Sequence, residues 1–575
     1  MTTKGLQSLE PGKGKATDAV PFSAETASIL NGINVEDGTI PDLSESPTLV
    51  LPIINAGLSS TDFVALNGFP VEEQLTWMLP VVKVAKKTAS PFRTDEYPLT
   101  LMRNLIKNSG IYAIASLTSP FISLILAPFL AYHLSHTDYG VLAVLNTVIS
   151  LVAGITQLGL GSAFFRAYGF DYVSQHDRLG VLSTVVVLLV SVSGTTALTI
   201  VLTAPMLSTL LFGTASFSNP VLFAALAILL QNLALPGLSW LRAENRALFF
   251  SVLSIANLLA TLGANIVLVG ILHWGITGSL IAVGVGYAVI ALATLPVILL
   301  RAGVLLRFDI AKGLLAFGVP NVANFVSVWV LQLSDRYLLG HLGTLAETAN
   351  YAVAYSLGGV LSSVVIAPFS LAWPAVMFAI AKRNDATEMF RHVFLWFSII
   401  LLFATFGLSL IGIGVLNVLF PHTYASATPI IPIIAVSIMF YGIYVIFTIG
   451  VSVQRKTWFA VIFTTLSALV NVGLNLILIR LYGSMGAALS TLLAYMVLAG
   501  VAYVVNQRIY PIAFQLRAFV AALLIGIVLY VGSDFVTQFQ ETYVAWSLHI
   551  IALLLYGGCL VLLGKFVSRG SKNSL

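Results

Sequence analysis

From Lys107 onward the chain is a succession of apolar runs, each long enough to cross a bilayer and each ended by a short polar break. A helical span needs about 20 mainly apolar residues, and in lipid its backbone polar groups must be satisfied internally. A chain with this pattern therefore reads as an all-α, polytopic membrane protein. Only 9% of residues are charged while 58% are apolar, against roughly 25% charged in soluble domains, which excludes a soluble reading for most of the chain. We place fourteen spans, at 108–132, 140–165, 179–203, 220–240, 247–271, 276–300, 314–333, 351–373, 393–417, 429–453, 458–479, 484–505, 518–536 and 544–563.

The first 102 residues differ in kind. They hold 12 of the 23 acidic residues and 7 of the 28 basic ones, in sequence broken throughout by Pro, Gly and Ser. No basic region followed by an apolar run and a small-residue cleavage site is present, so they do not read as a secretory signal. The composition predicts a largely disordered cytoplasmic tail. Leu49 to Ile54 (LVLPII) or the later EEQLTWMLPVVKVAKK would serve as an anchor if the tail docks a partner.

Basic residues orient the spans, because short cytoplasmic loops retain Lys and Arg and translocated ones do not. With the N-terminus inside, every second break should be basic. Of the 19 basic residues after Lys107, 17 fall in those breaks or at the C-terminus, and only Arg336 and Arg480 do not. Fourteen spans with both termini cytoplasmic satisfy the pattern, and a missed or invented span in the middle would scramble it. The excess of basic residues thus belongs to the membrane part and does not point to nucleic acid.

The chain also repeats itself. ANIVLVGILHWGITGSLIAVGVGY from Ala264 resembles LNLILIRLYGSMGAALSTLLAY from Leu474, pairing Asn265 with Asn475 and Gly275-x-x-Gly278 with Gly483-x-x-Gly486. Six spans separate the copies, so the halves share orientation and relate by an axis along the membrane normal. The expected organisation is a tail at 1–102, an N-lobe of six spans at 103–305, a C-lobe of six at 306–510, and two further spans with a cytoplasmic C-terminus at 511–575. Two pseudo-symmetric lobes imply a site at their interface.

The chemistry inventory excludes much. No HExxH, CxxC, phosphate-loop or G-x-S-x-G pattern occurs, and Cys559, the single cysteine, rules out an intrachain disulfide or a cysteine metal site. His133 and His136, near Asp138, read as a solvated loop rather than a metal site. With short outer loops, no catalytic platform and no nucleotide site, the expectation is a secondary transporter or facilitator, not an enzyme, with no cofactor. The mid-membrane stretches hold essentially no Asp or Glu, which weakens an ion-coupled drug-antiporter reading, since intramembrane charges are costly and mark function.

The remaining polar groups are cations at span ends and neutral amides. Arginine binds phosphate bidentately and amides bond sugar hydroxyls, an inventory that suits a glycan carrying phosphate. Candidate cavity residues are Arg336, Asp335, Arg166, Arg242, Gln157, Asn321, Asn324 and Gln332. Each has a plainer reading: Arg166 and Arg242 as topology signals, the amides as interhelical glue, and Arg336 as the partner of Asp335 or as a snorkelling cation. Arg336 is the most informative of them, because orientation rules oppose a cation there.

The stretch RNLIKNSGIYAIASLTSPFISLILAPFLAYHLSHTDYGVLAVLNTVISLVAGITQLGLGSAFFRAY (Arg103 to Tyr168), the DRYLLG of Asp335 to Gly340 followed by NYAVAYSLG, and the YGSMGAALSTLLAY of Tyr482 to Tyr495 resemble the polysaccharide-biosynthesis flippases of the multidrug/oligosaccharidyl-lipid/polysaccharide exporter superfamily. The resemblance covers about 103–510. It implies two six-helix bundles around a cationic cavity, lined by spans one, two, seven and eight, which favours Arg166, Asp335 and Arg336. It also implies a lipid-linked oligosaccharide substrate, typically on undecaprenyl pyrophosphate, moved across a bacterial cytoplasmic membrane for exopolysaccharide or O-antigen synthesis. Membrane lipids and, through the tail, polymerase or glycosyltransferase machinery are the expected partners. The long tail departs from the family pattern. An ion-coupled multidrug-type antiporter, or a membrane scaffold for polysaccharide synthesis, are the alternatives in function.

Overall fold

The computed structural model describes residues 125–172, 174–456, 458–537 and 542–572; the expected tail at 1–102 and most of the first span lie outside them. Among the described residues there is no strand. The helices in chain order are α1 (125–133), α2 (His136–Thr156), α3 (Leu160–Arg166, continued by a π-turn Ala167–Asp171), α4 (Gln175–Leu202), α5 (Ala204–Phe212) and α6 (Ser218–Ala243). There follow α7 (Ala247–Asn265), α8 (Gly275–Ala302), α9 (Phe308–Leu342), α10 (Leu345–Leu361), α11 (Ala367–Ala381), α12 (Ala386–Leu419), α13 (Ile430–Phe447), α14 (Ile449–Val453), α15 (Trp458–Ile509), α16 (Leu516–Thr537) and α17 (Thr542–Lys572).

Twelve segments among the described residues are long and apolar enough to cross a membrane. One of them, α15, is a hairpin. Its 52 residues would reach roughly 78 Å if straight, more than twice the ~30 Å hydrocarbon core. Gly483, at φ 55° and ψ −131°, interrupts it. Asn475 and Thr491, eight residues to either side, both bond the carboxylate of Asp335, so the two arms run side by side. Gly275, at φ 57°, makes the matching break before α8. The pairing expected from the sequence is thus a pair of left-handed glycine turns, a conformation that other residues adopt at a cost.

The breaks sort to two faces. On one, a Cβ on Gly140 would meet the Leu345 carbonyl and one on Gly483 would meet Glu347, while the ring of His136 packs on Tyr424. On the other, Arg307 pairs with Asp177, Ser183 Oγ donates to the Gly303 carbonyl, and Tyr168 Oη donates to Glu244. This second face carries the basic breaks. α16 and α17 pack on each other and on α12. The loop expected between 204 and 219 is itself ordered, as α5 and a 3-10 turn closed by bonds from Ser208 Oγ to Thr214 O and from Phe217 N to Ser208 Oγ.

Lipid tails are as apolar as leucine, so helices in a bilayer gain little by hiding leucines from it and associate through close packing of small residues. Three glycines bring α2 and its C-terminal connection against the C-lobe. A Cβ added at Gly140 would lie 1.9 Å from the Leu345 oxygen, at Gly154 2.0 Å from the Phe325 ring, and at Gly159 2.2 Å from the Gly318 oxygen. Backbone atoms at the first and third contacts have no side chain that can yield. Gly140→Ala should therefore lower stability by about 1–3 kcal/mol, the usual cost of overpacking, read as a drop in melting temperature of the detergent-solubilised protein. Gly194→Ala, with nothing within 4 Å of its Cβ, should leave it unchanged or raise it.

Candidate functional site: a cationic cavity between the lobes

Between these contacts lies a cavity of about 380 Å³. The N-lobe contributes Tyr139, Asn146, Thr147 and Ser150 from α2, and the C-lobe contributes Arg336 from α9 with Tyr355 and Ser356 from α10. The Arg336 guanidinium sits 4.5 Å over the Tyr355 ring, an arrangement that holds a cation while leaving its edge donors available. Among the described residues no carboxylate lies within ion-pair distance of it. The lining thus presents one fixed positive charge among hydroxyls and an amide, which together can bond an anionic group and neighbouring hydroxyls.

Asp335 is not in this cavity. Successive helical residues are about 100° apart and do not face each other, so Arg336 turns toward the N-lobe and Asp335 into the C-lobe interior, fully buried. Its Oδ2 accepts from Tyr351 Oη at 2.8 Å and Thr491 Oγ1 at 2.6 Å. Its Oδ1 accepts from Asn475 Nδ2 at 2.6 Å, and the same amide group reaches Asn471 Oδ1 at 3.0 Å. The expected alternative of a local Asp335–Arg336 ion pair is not formed. A carboxylate out of water is costly unless paired or hydrogen-bonded, and here three donors from α10 and both arms of α15 supply the bonds. Asp335, which the sequence places just beyond the seventh span, is wholly buried in the C-lobe. Its oxygens, with those of Asn471 and Thr491, could hold a proton or a monovalent cation. Among the described residues no three His, Cys, Asp or Glu side chains come together.

The other expected residues lie elsewhere. Arg166 is paired with Asp171 at 3.5 Å and stacks on Phe317 at 4.9 Å. Arg242 lies over Phe165 and Phe250. Both sit at the basic face and neither lines the cavity, so the structure does not gather them with Arg336. Gln157 Nε2 donates to Asn232 Oδ1 at 3.2 Å, and Asn232 Nδ2 donates to Thr156 Oγ1 at 2.7 Å, which is interhelical glue within the N-lobe. Asn321, Asn324 and Gln332 are half-buried on α9 but do not line the cavity. Arg480 is exposed.

Sequence reading missed the closure at the far end from the basic face. His136 Nε2 lies 3.0 Å from Asn350 Oδ1, joining α2 to α10 across the lobes, and Tyr139 and His136 both pack edge-on to Tyr424. At the offset of 210 that pairs Asn265 with Asn475, Gly140 matches Asn350, but repeat register carries no information about contacts across the interface.

Two parallel-oriented helical lobes with a cationic cavity where they meet define a class of membrane protein with a transporter fold. The sequence model of the family described as "polysaccharide biosynthesis protein" matches residues 129–429, just over half of the chain, and the chain belongs to that family. No curated protein matches its sequence. Among solved structures it is similar to the lipid II flippase MurJ in an inward closed conformation, with a TM-score of 0.60 and 16% identity over 79% of this chain and 98% of that one. It is also similar to an inward-facing multidrug resistance MATE family transporter of the MOP superfamily (0.54, 15%, 69% and 97%). A third is the MATE multidrug transporter DinF-BH (0.53, 15%, 74% and 98%). At these identities the likeness is one of fold.

The Asp335 network makes a stability prediction. In Asp335→Asn the amide nitrogen must face either the Tyr351 and Thr491 hydroxyls or the Asn475 amide, leaving at least one buried group without a partner. That costs about 1–3 kcal/mol, and differential scanning fluorimetry should show a lower melting temperature. Gln332→Ala, on the same helix outside the network, should not change it by more than about 0.5 kcal/mol.

Proposed function

We propose that the protein is a flippase moving a lipid-linked oligosaccharide, with undecaprenyl pyrophosphate as carrier, from the cytoplasmic to the outer leaflet of a bacterial cytoplasmic membrane. On this reading the basic face and both termini are cytoplasmic. The observation that carries it is Arg336: a cation without a carboxylate partner among the described residues, at the lobe interface, among groups that bond hydroxyls. A cavity of about 380 Å³ takes a phosphate and little more than one sugar, so an oligosaccharide is admitted only when the lobes part. The pyrophosphate enters at the basic face and exchanges its hydration for the guanidinium, and the lipid tail stays in the bilayer. Rocking then opens the His136–Asn350 end.

A second reading, an ion-coupled antiporter of small molecules, draws on the buried Asp335 and on the likeness of fold to multidrug transporters. A cationic cavity repels cationic dyes, which favours the first. The Asp335 network is compatible with both, because a proton or monovalent cation bound there would bias the C-lobe whatever the cargo.

Purified protein in liposomes with a fluorescent undecaprenyl-pyrophosphate glycan should make the label accessible across the bilayer. Arg336→Ala should slow this at least tenfold, as expected from losing a charge-assisted bond worth about 1.5–3 kcal/mol, while Arg336→Lys retains part of the rate and Arg480→Ala all of it. Export of a cationic dye driven by an ion gradient, with no movement of the glycan, would replace the proposal by the antiporter.

A further inference from the structure

A second cavity, of about 560 Å³, opens where the basic ends of the N-lobe helices meet, and it shares no lining residue with the first. The π-turn after α3 places Tyr168 in it, the first turns of α4 bring Arg178, Leu179 and Leu182, the end of α6 brings Trp240 and Glu244, and the end of α8 brings Ile298 and Arg301. A π-turn is rare and often marks a functional position. The floor is apolar, with Leu182 and Ile298 fully buried, and the charges stand at the rim.

The two arginines are held but not neutralised. Arg178 Nε donates to the Tyr172 carbonyl at 3.1 Å, and its guanidinium lies 5.5 Å over the Tyr168 ring. Arg301 lies 5.6 Å over Trp240. Among the described residues neither has a carboxylate within 4 Å, whereas Arg166, Arg307 and Arg383 on the same face are each paired with an aspartate. Glu244, the one acid of the lining, accepts from Tyr168 Oη instead. The lining therefore carries two guanidiniums against one carboxylate.

We propose that this cavity binds the phosphodiester headgroup of an anionic phospholipid from the leaflet on the basic side. Guanidinium forks match phosphate oxygens. The site lies where α4, α6 and α8 begin or end, which is headgroup depth for helices that span the core, and its apolar floor takes the glycerol and the start of the acyl chains. A free phosphate would leave that floor wetted. Glu244 balances one of the two cations, which suits the single charge of a phosphodiester. Such a lipid joins the ends of four elements of the N-lobe and leaves the Arg336 cavity untouched, so the inference stands or falls separately from the flippase reading.

Native mass spectrometry on the full-length, delipidated protein tests this with phosphatidylglycerol as the probe. The wild type should retain one phosphatidylglycerol at least tenfold more tightly than Arg178→Gln/Arg301→Gln. Lys382→Gln/Arg383→Gln, which removes two cations from the same face outside the cavity, should match the wild type. Glu244→Gln removes the opposing charge and should tighten binding. Millimolar inorganic phosphate should not displace the lipid. Equal retention by the Arg178/Arg301 variant overturns the proposal, and displacement by inorganic phosphate turns the site into one for a free anion. If the double variant fails to fold, Glu244→Gln decides: unchanged or weaker binding counts against an anion in this cavity.

Discussion

One helix carries two opposite charges side by side through the membrane, and their divergence organises the protein. Asp335 and Arg336 cannot satisfy each other, because the helical rotation between neighbours sends one side chain into the C-lobe and the other into the space between lobes. Asp335 is accommodated by bonds from Tyr351, Asn475 and Thr491, which tie α9 to α10 and to both arms of the α15 hairpin. That tie fixes the rotation of α9 about its own axis. The cation at the interface is therefore held in place by an acid on the other side of the same helix, and α9 cannot turn Arg336 away without unmaking a buried network.

Movement between the lobes faces a different constraint. The contacts of α2 and its C-terminal connection with α9 and α10 are backbone against backbone at Gly140 and Gly159 and backbone against a ring at Gly154. At these points the lobes approach closely because the N-lobe residue has no side chain. Among the described residues, the polar closure at the end away from the basic face is the His136–Asn350 contact with Tyr424 beside it. Within each lobe, by contrast, bonds such as Asn232 to Thr156 and Asn475 to Asp335 join helices. Polar ties join helices within each lobe, while the lobes meet through glycine seams, the His136–Asn350 contact and, at the basic face, the Arg307–Asp177 ion pair.

Much of this was legible in the sequence, for a physical reason in each case. Lys and Arg mark loops because their transfer is costly, so the alternation of basic breaks could be read directly, and the two faces of the structure follow it. Gly275 and Gly483 were visible as repeat positions, and both occupy the left-handed region that tolerates few other residues. Arg336 stood out by breaking the orientation pattern, and it lines the inter-lobe cavity. Asp335 was expected to line the cavity beside Arg336, but neighbours on a helix face different ways, and it does not. Its partners were invisible, since Tyr351 and Thr491 are ordinary residues in apolar helices until another helix brings a carboxylate to them. Arg178 and Arg301 read as topology signals, and only the convergence of four helix ends sets their charges around one cavity.

The two lobes repeat in backbone and diverge in chemistry. At the offset of 210, Asn475 corresponds to Asn265, which is likewise fully buried but, among the described residues, bonds the Thr261 carbonyl of its own helix and no carboxylate. Asp335 corresponds to Ile125, Tyr351 to Val141 and Asn471 to Thr261. The N-lobe thus keeps the glycine turn and the asparagine but lacks the acid. Among the described residues, the fully buried carboxylate of this duplicated scaffold is Asp335, in the C-lobe copy. That acid is carried by α9, the helix that also places Arg336 at the inter-lobe cavity.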